Sequence, residues 1–290
     1  MQTENKSTAS APLSPLSKYK VACIGTGKML TALIGGMLKW GYDSRYIIAT
    51  RRNPAALQNL ATDFGIQVSD NNHHAASWAD VIILGVKPAQ SGPILSSLAE
   101  VCRGKLIISV MAGVSTEQIK SCLTGDESKV LDDWPVVRAM PNLPCQSAQG
   151  VTGLFAAHGV SAEQRQWTEQ LFSTLGVVLW LQDEAKMHAL TVISGSGPAY
   201  FLLLQEYLIA FAKEQGFSQQ EAETLVHHTA RGAATMLMQS DHSAQSLCTM
   251  ISSPGGVTEK VIRSLEQDQL QKIWQRAWSA GCLHSEGMAH

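Results

Sequence analysis

A glycine-rich turn at residues 25–30 (GTGKML) has the sequence and position of a loop that binds a nucleotide phosphate. It follows a short apolar run, residues 20–24, and precedes a helical pattern over residues 29–39. Two glycines allow a tight turn and close backbone approach, and the helix N-terminus stabilises a pyrophosphate. Leu30 stands where the fingerprint has a third glycine. Because a bare G-x-G also occurs in ordinary strand-to-helix turns, the strand–turn–helix context carries the prediction of nucleotide binding.

The end of the second predicted strand, residues 50–53 (TRRN), indicates which nucleotide is bound. An NAD-specific fold tends to place Asp or Glu there, where it accepts hydrogen bonds from the ribose. This chain has Arg51 and Arg52 and no acid. Guanidinium groups offer planar donors suited to a phosphate, although solvated surface arginines are the alternative. The segment therefore favours NADP over NAD.

Two further loops, residues 85–88 (GVKP) and 111–114 (MAGV), follow the ends of predicted strands. In a doubly wound sheet, ligands lie outside the carboxyl ends of the strands. Both loops are therefore expected to line the nicotinamide end of the cleft. The alternative for Lys87 is an ordinary solvated lysine.

The second half of the chain contains two polar, glycine-rich segments, residues 194–198 (SGSGP) and 252–258 (SSPGGVT). Each precedes a predicted helix and can offer free backbone N–H groups near the helix N-terminus. Such groups are a ready site for a carboxylate. Simple helix-capping turns are the alternative.

Several other kinds of site are missing from the sequence. No Ser/His/Asp order, H-E-x-x-H motif or zinc spacing can be drawn. The pairs His73–His74 and His227–His228 are adjacent, so they do not present both rings to one side of an element, and we expect no metal. Hydride transfer to a polarised substrate needs little acid–base chemistry from the protein, so the lack of an obvious catalytic base is consistent with it.

Short apolar runs that alternate with helical patterns position the first three loops. A continuous apolar run is typical of a strand buried on both faces, and this alternation predicts a parallel, doubly wound sheet. The further predicted strands are residues 46–50, 81–86, 106–110, 136–140, 151–156 and 177–181, and a second helix is predicted at residues 54–64.

From Glu184 onward the pattern becomes helical, at residues 198–212, 219–239 and 259–281. Helices that are apolar over much of their circumference must be buried, and in so small a domain another subunit supplies that burial most easily. We therefore expect a disordered tail over residues 1–17, an α/β domain over 18–182 and an all-α domain over 183–290.

Composition supports a subunit interface and excludes some functions. Charged residues make up 16% of the 290 residues, against roughly 25% in an average domain. The net charge of −2, without a basic tract, argues against nucleic acid as a partner. The most apolar stretches are shorter than a membrane span. Six cysteines without a C-x-x-C pair indicate reduced thiols in a cytoplasmic protein.

Together these motifs resemble the pyrroline-5-carboxylate reductase family, in order and over the chain from about Tyr19 to the last helix. The resemblance implies an N-terminal Rossmann domain and an all-α C-terminal dimerisation domain that interleaves with its partner, often within larger homo-oligomeric rings. The segments that carry it are residues 25–29 (GTGKM), 86–88 (VKP), 112–114 (AGV), 138–142 (RAMPN), 194–200 (SGSGPAY) and 253–256 (SPGG).

The implied reaction is the reduction of 1-pyrroline-5-carboxylate to L-proline by NAD(P)H, the last step of proline biosynthesis. Thr258 is the implied catalytic residue, which hydrogen-bonds the ring nitrogen. The implied substrate-binding residues are Glu184, Ser253, Gly255, Gly256, Val257 and Thr258. The implied cofactor-binding residues are Gly25, Thr26, Gly27, Lys28, Met29, Leu30, Arg51, Arg52, Asn72, Val86, Lys87, Pro88, Met111, Ala112 and Gly113.

Two other readings of the chain stay open at this point. Another cyclic-imine reductase or a 3-hydroxyacid reductase could use the same architecture. A regulatory homologue could bind the nucleotide without catalysing a reaction, because fold does not imply function.

Overall fold

A computed structural model describes residues 19–125 and 134–287, so the predicted tail, residues 1–17, lies outside the described residues. The chain forms two compact units. Within the described residues, the first unit runs through Thr191 and includes residues 285–287, and the second unit is Val192–His284.

The first unit is built on one eight-stranded sheet. Its order is β3-β2-β1-β4-β5-β6-β7-β8, and all neighbours are parallel except β6 and β7. The seven strands expected from the sequence are confirmed to within two residues, and the short β3 was missed. The strands are β1 (Val21–Ile24), β2 (Ile47–Thr50), β3 (Gln67–Ser69), β4 (Val81–Leu84), β5 (Leu106–Ser109), β6 (Val136–Pro141), β7 (Gly150–Ala156) and β8 (Gly176–Trp180).

Helices cover both faces of this sheet. Leu33, Ile34 and Phe172 pack in the core on one face, and Leu95 and Leu98 pack on the other. Continuous apolar strands therefore become buried on both sides, which is the arrangement of a doubly wound fold. The helices are α1 (Lys28–Lys39), α2 (Pro54–Phe64), α3 (Asn72–Trp78), α4 (Ser91–Cys102), α5 (Thr116–Thr124), α6 (Ala162–Ser173) and α7 (Lys186–Leu190).

Side-chain caps define where several of these helices begin. The Asn53 and Asn71 side chains accept from backbone N–H groups in the first turns of α2 and α3. Ser115 and Ser161 begin α5 and α6 with reciprocal bonds to Gln118 and Gln164. Each cap satisfies a first-turn N–H that has no intrahelical acceptor.

The second unit is helical, as expected. A π-helical turn, Thr191–Gly195, leads into its helices. They are α8 (Gly197–Glu214), α9 (Gln219–Met238), α10 (Ala244–Ile251), α11 (Val257–Gln267) and α12 (Leu270–Gly287), whose last turn belongs to the first unit.

The expectation of a single helix over residues 259–281 was wrong. The helix breaks at Asp268 and Gln269, and Gln269 adopts a left-handed conformation with φ of 55°. The Gln269 carbonyl then accepts from the N–H groups of Lys272 and Ile273 and starts α12. Neither glycine nor proline marks this break, so no local signal in the sequence indicates it.

Large apolar side chains lie exposed on α8 in the single chain. Phe201 is 70% exposed, Tyr207 61% and Phe211 58%. A contiguous apolar surface of this kind marks an interaction site. The exposed apolar side chains of α8 are thus available for a partner to cover.

By length and composition, the helical segment Lys186–Glu214 could cross a membrane. The sequence led us to expect apolar stretches shorter than a membrane span, whereas this helical segment has 29 residues. One such helix is weak evidence for a span, since a helix buried in a protein passes the same test.

Candidate active site

A cleft of about 770 Å³ opens in the first unit, beyond the carboxyl ends of β1, β2 and β4. This is the edge at which doubly wound sheets bind ligands. Eight of the residues implied for the cofactor line it: Gly25, Thr26, Gly27, Arg51, Arg52, Asn72, Val86 and Lys87. Asp70 and Gln90 also line the cleft, although they lie outside the loops that the sequence pointed to.

Gly25 and Gly27 have different physical requirements. Gly25 has φ of 77°, and a Cβ there would overlap the Val86 side chain, so the turn itself needs a glycine. Gly27 is the N-cap of α1 and makes no side-chain cap bond, and a Cβ there would meet nothing within 4 Å. Open space therefore lies beside unsatisfied first-turn N–H groups, an arrangement that fits the pyrophosphate of a dinucleotide.

Arg51 and Arg52 are both exposed at the end of β2. A long bond of 3.4 Å joins the Arg52 guanidinium to Gln90 Oε1 on the far side of the cleft. The carboxylate of Asp70, just beyond β3, also lines the cleft. The end of β2 thus offers cations to a ligand, as the sequence indicated, while the acid comes from the neighbouring strand.

The remaining residues of the first loop lie outside this cleft. Lys28 lines a second cleft of about 640 Å³ along α1, which Arg51 also lines. Leu30 is buried in the core, and its side chain packs against Gly85. The side chain of Leu30 therefore packs in the core under the loop, so only the backbone of Leu30 can contact a ligand.

The other implied cofactor residues are placed near strand ends rather than in the cleft lining. Met29 is partly buried against the core, and Pro88 begins a short helical turn after Lys87. Met111 is buried, and Gly113 has φ of 74° in the loop after β5. With Ala112, these two residues form the loop that leads into α5.

Glu184 is held by polar contacts within the first unit. Its Oε1 accepts from Arg138 Nη1 at 3.0 Å and from the Thr116 N–H at 2.9 Å, and its Oε2 accepts from Thr116 Oγ1 at 2.6 Å. The carboxylate thus lies at the N-terminus of α5, where the helix dipole favours a negative charge. Its implied contact with a substrate stays a prediction.

This buried ion pair is expected to contribute strongly to stability. The side chain of Arg138 is 4% exposed and that of Glu184 is 20% exposed. Glu184→Ala leaves the guanidinium buried without a counter-charge, which costs about 3 kcal/mol of unfolding free energy. Chemical denaturation measures this loss. The matched control is Arg45→Ala, which breaks an exposed pair with Asp43 and should change stability little. Equal effects of the two substitutions would contradict the account.

The turn before α11 lies in the second unit. Gly255 has φ of 73°, and its N–H donates to Glu259 Oε2 at 2.6 Å. The Gly256 N–H donates to the Ser253 carbonyl at 2.9 Å. Two of the amides implied for a carboxylate are therefore already bonded within the turn. The first-turn N–H groups of Val257 and Thr258 remain, because they have no intrahelical acceptor.

The side chain of Glu259 folds back onto this turn. A carboxylate already accepts a hydrogen from its backbone. Glu259 is further paired with Arg263 at 2.8 Å. Thr258 is half-buried beside it, in the first turn of α11. The implied role of this turn in binding a substrate carboxylate, with Thr258 as a hydroxyl donor, stays a prediction.

The other titratable groups offer little further chemistry. All six cysteines are free thiols, and burial raises the pKa of Cys23 to about 12, so that thiol stays protonated near neutral pH. In the part of the chain that the structure describes, no three His, Cys, Asp or Glu side chains form a metal-binding group.

The fold and the cleft define a Rossmann-type dinucleotide-binding protein with a separate helical unit. Residues 20–113 match the family model described as NADP oxidoreductase, coenzyme F420-dependent. Residues 184–288 match the model described as pyrroline-5-carboxylate reductase dimerisation. An N-terminal and a C-terminal segment of the chain thus match an oxidoreductase domain and a dimerisation domain.

Relatives along nearly the whole chain identify the family. A pyrroline-5-carboxylate reductase from Pseudomonas aeruginosa is 35% identical over 275 residues, which cover 94% of this chain and 98% of that protein. One from Vibrio alginolyticus is 33% identical, over 93% and 97% of the two chains. The chain belongs to the pyrroline-5-carboxylate reductase family.

Solved structures agree with this assignment. A pyrroline-5-carboxylate reductase from Coxiella burnetii has a TM-score of 0.85 at 31% identity, over 94% of this chain and 99% of that one. The Plasmodium falciparum pyrroline carboxylate reductase, solved with NADP bound, has a TM-score of 0.83 at 26% identity, with the same coverage. The Rossmann domain and the all-α dimerisation domain expected from the sequence are confirmed.

Proposed function

We propose that this protein reduces 1-pyrroline-5-carboxylate to L-proline with NADPH, the last step of proline biosynthesis. The observation that carries the proposal is the likeness to reductases of this name over 94% of the chain. That likeness includes both the nucleotide loop and the turn before α11. The direct test is NADPH oxidation by the purified protein with 1-pyrroline-5-carboxylate, with the product identified as L-proline.

The first unit is proposed to hold the nucleotide. The N–H groups at the start of α1 bind the pyrophosphate beside Gly27, and the guanidinium of Arg52 binds the 2′-phosphate. Asn72, Val86, Lys87 and the loop of residues 111–113 line the rest of the nucleotide. When bound, NADPH supplies the hydride that reduces the imine carbon.

The turn before α11 is proposed to hold the substrate. The Val257 and Thr258 amides bind its carboxylate, with Ser253, Gly255 and Gly256 shaping the turn. The Thr258 hydroxyl donates a hydrogen bond to the ring nitrogen, which takes up a proton as the C=N bond becomes a single bond. Positioning of the imine, rather than a strong acid, governs the rate.

Glu184 is the one implied substrate residue outside this turn. Its carboxylate already accepts hydrogen bonds from Arg138 and Thr116. We propose that it lies near the substrate while fixing the start of α5. A loss of stability in Glu184→Ala would show that Glu184 supports the fold. If Glu184 only contacted the substrate, the substitution would leave stability unchanged.

The functional unit is a homo-oligomer. The second unit matches a dimerisation domain, and exposed Phe201, Tyr207 and Phe211 on α8 supply an apolar face for it. We propose assembly beyond the dimer, because charged residues make up 16% of the chain. A cytoplasmic location accords with six free thiols.

Arg52→Ala is expected to lower the affinity for NADPH about tenfold, because one charge-assisted contact with the 2′-phosphate is lost. The affinity for NADH, which lacks this phosphate, should stay within a factor of about two of wild type on the same argument. Equilibrium titration with both nucleotides measures the ratio. Arg51→Ala is measured beside it, because Arg51 lines both the nucleotide cleft and the cleft along α1. An equal loss for NADPH and NADH in Arg52→Ala would contradict the role of Arg52.

A further inference from the structure

The side chain of Thr50, at the end of β2, joins two other segments that line the nucleotide cleft. Its Oγ1 accepts from the Gly25 N–H at 3.2 Å and donates to Asn72 Oδ1 at 2.7 Å. The Thr50 carbonyl also accepts from the Thr26 N–H at 2.8 Å. One residue thus ties the glycine turn after β1 to the start of α3.

The direction of these bonds fixes the groups that meet a ligand. The Thr50 hydroxyl has one hydrogen, which goes to Asn72, so its lone pair is available for the Gly25 N–H. Because Asn72 Oδ1 accepts from Thr50, the side chain presents its amide N–H donors as the remaining polar group. Gly25 is held at φ of 77°, the conformation that the turn requires.

Thr50 itself has little access to a ligand. The residue is 1% exposed, although it borders the cleft. Any influence on a nucleotide must therefore act through Gly25, Thr26 and Asn72. The two side-chain bonds are partly buried, so the loss of the hydroxyl leaves polar groups with limited access to water.

We propose that Thr50 is a positioning residue of the nucleotide site, which sets the peptide at Gly25 and the amide of Asn72 in the geometry that binds the dinucleotide. This inference rests on the proposed use of NADPH. It applies to NADH equally, because the affected groups do not face the 2′-phosphate assigned to Arg52.

Two substitutions separate the hydroxyl from the shape of the side chain. Thr50→Val keeps the branched shape and removes the hydroxyl, whereas Thr50→Ser keeps the hydroxyl. In Thr50→Val we expect the dissociation constants of NADPH and NADH to rise together, about tenfold, because the Gly25 N–H and Asn72 Oδ1 both lose their partner. Thr50→Ser should stay within about threefold of wild type, because the bonding group is retained.

A matched control tests whether any buried threonine would give the same result. Thr168 is 0% exposed and donates to the Gln164 carbonyl on α6. Thr168→Val therefore removes a buried hydroxyl far along the chain from the cleft residues. It should lower the melting temperature without changing nucleotide affinity. If the effect came only from packing, Thr50→Val and Thr168→Val would change nucleotide affinity and melting temperature alike.

The experiment is equilibrium titration of the full-length protein with NADPH and NADH, followed by nucleotide fluorescence, for wild type and the three variants. Asn72→Ala and the double variant Thr50→Val/Asn72→Ala complete a cycle, in which Thr50→Val should cost less once Asn72 is absent. If Thr50→Val had wild-type nucleotide affinity and a lower melting temperature, this inference would be overturned, while the proposed function would stand. A folded wild type that binds neither nucleotide would overturn the proposed function and this inference with it.

Discussion

Gly27→Ala is expected to raise the dissociation constant of NADPH about a hundredfold, the loss associated with one to two charge-assisted hydrogen bonds. Gly27 has an extended backbone, φ −103° and ψ −166°, which alanine adopts readily. A methyl group there meets no protein atom within 4 Å. It would instead occupy the space through which a pyrophosphate approaches the N-terminus of α1.

The fold should tolerate this substitution, so affinity and stability are separable. We expect the unfolding free energy to stay within about 1 kcal/mol of wild type, the range of N-cap replacements. Nucleotide titration and chemical denaturation of the same preparation measure the two quantities. Gly35→Ala is the control on the same helix, where a Cβ would make an ordinary contact of 3.6 Å with Phe64. Wild-type affinity in Gly27→Ala would show that the nucleotide does not bind at this turn.

Thr258→Val is expected to lower kcat about a hundredfold while leaving the affinity for NADPH unchanged. The proposed hydroxyl contact with the ring nitrogen matters most as that nitrogen takes up its proton, and such positioned donors contribute roughly 10²–10³ to rate. Valine preserves the branched shape at the second position of α11, so the turn and its amides remain. Steady-state kinetics give kcat and KM, and a separate titration gives the NADPH affinity.

Thr258→Ser is the matched variant for this test. It retains the hydroxyl and should keep most of the activity. If Thr258→Val turned over as fast as wild type, the hydroxyl would have no part in the reaction. If Thr258→Val lost NADPH affinity as well, the substitution would be acting on the nucleotide rather than on the substrate.

The sheet and its loops could be predicted from the sequence because their signals are local. Continuous apolar runs such as residues 81–84 and 106–109 are strands buried on both faces, and each ends in a loop at the ligand edge. The glycine turn and the arginine pair follow such strands directly. Eight of the implied cofactor residues therefore reach one cleft.

Other features depend on contacts between distant segments, so no local pattern indicates them. Thr50 bonds residues 25 and 22 positions away, and its importance appears only when β1, β2 and α3 are packed together. Likewise, Glu184 meets Thr116 across 68 positions. The sequence indicates neither the bonds of Thr50 nor the contact between Glu184 and Thr116.

In the turn before α11, the amides could be predicted from the sequence but not their partners. The motif predicts free backbone amides, but the Glu259 carboxylate already accepts from the Gly255 N–H. That contact depends on the side chain of a helix residue folding back on its own N-terminus. A substrate carboxylate would use the amides of Val257 and Thr258, or displace Glu259.

The most direct test of the central claim is turnover by the wild-type protein. Purified enzyme, NADPH and 1-pyrroline-5-carboxylate are combined, NADPH oxidation is followed by absorbance, and the product is quantified by chromatography. We expect one L-proline formed for each NADPH consumed. A folded protein that binds NADPH but neither oxidises it nor forms L-proline with this substrate would contradict the proposed function.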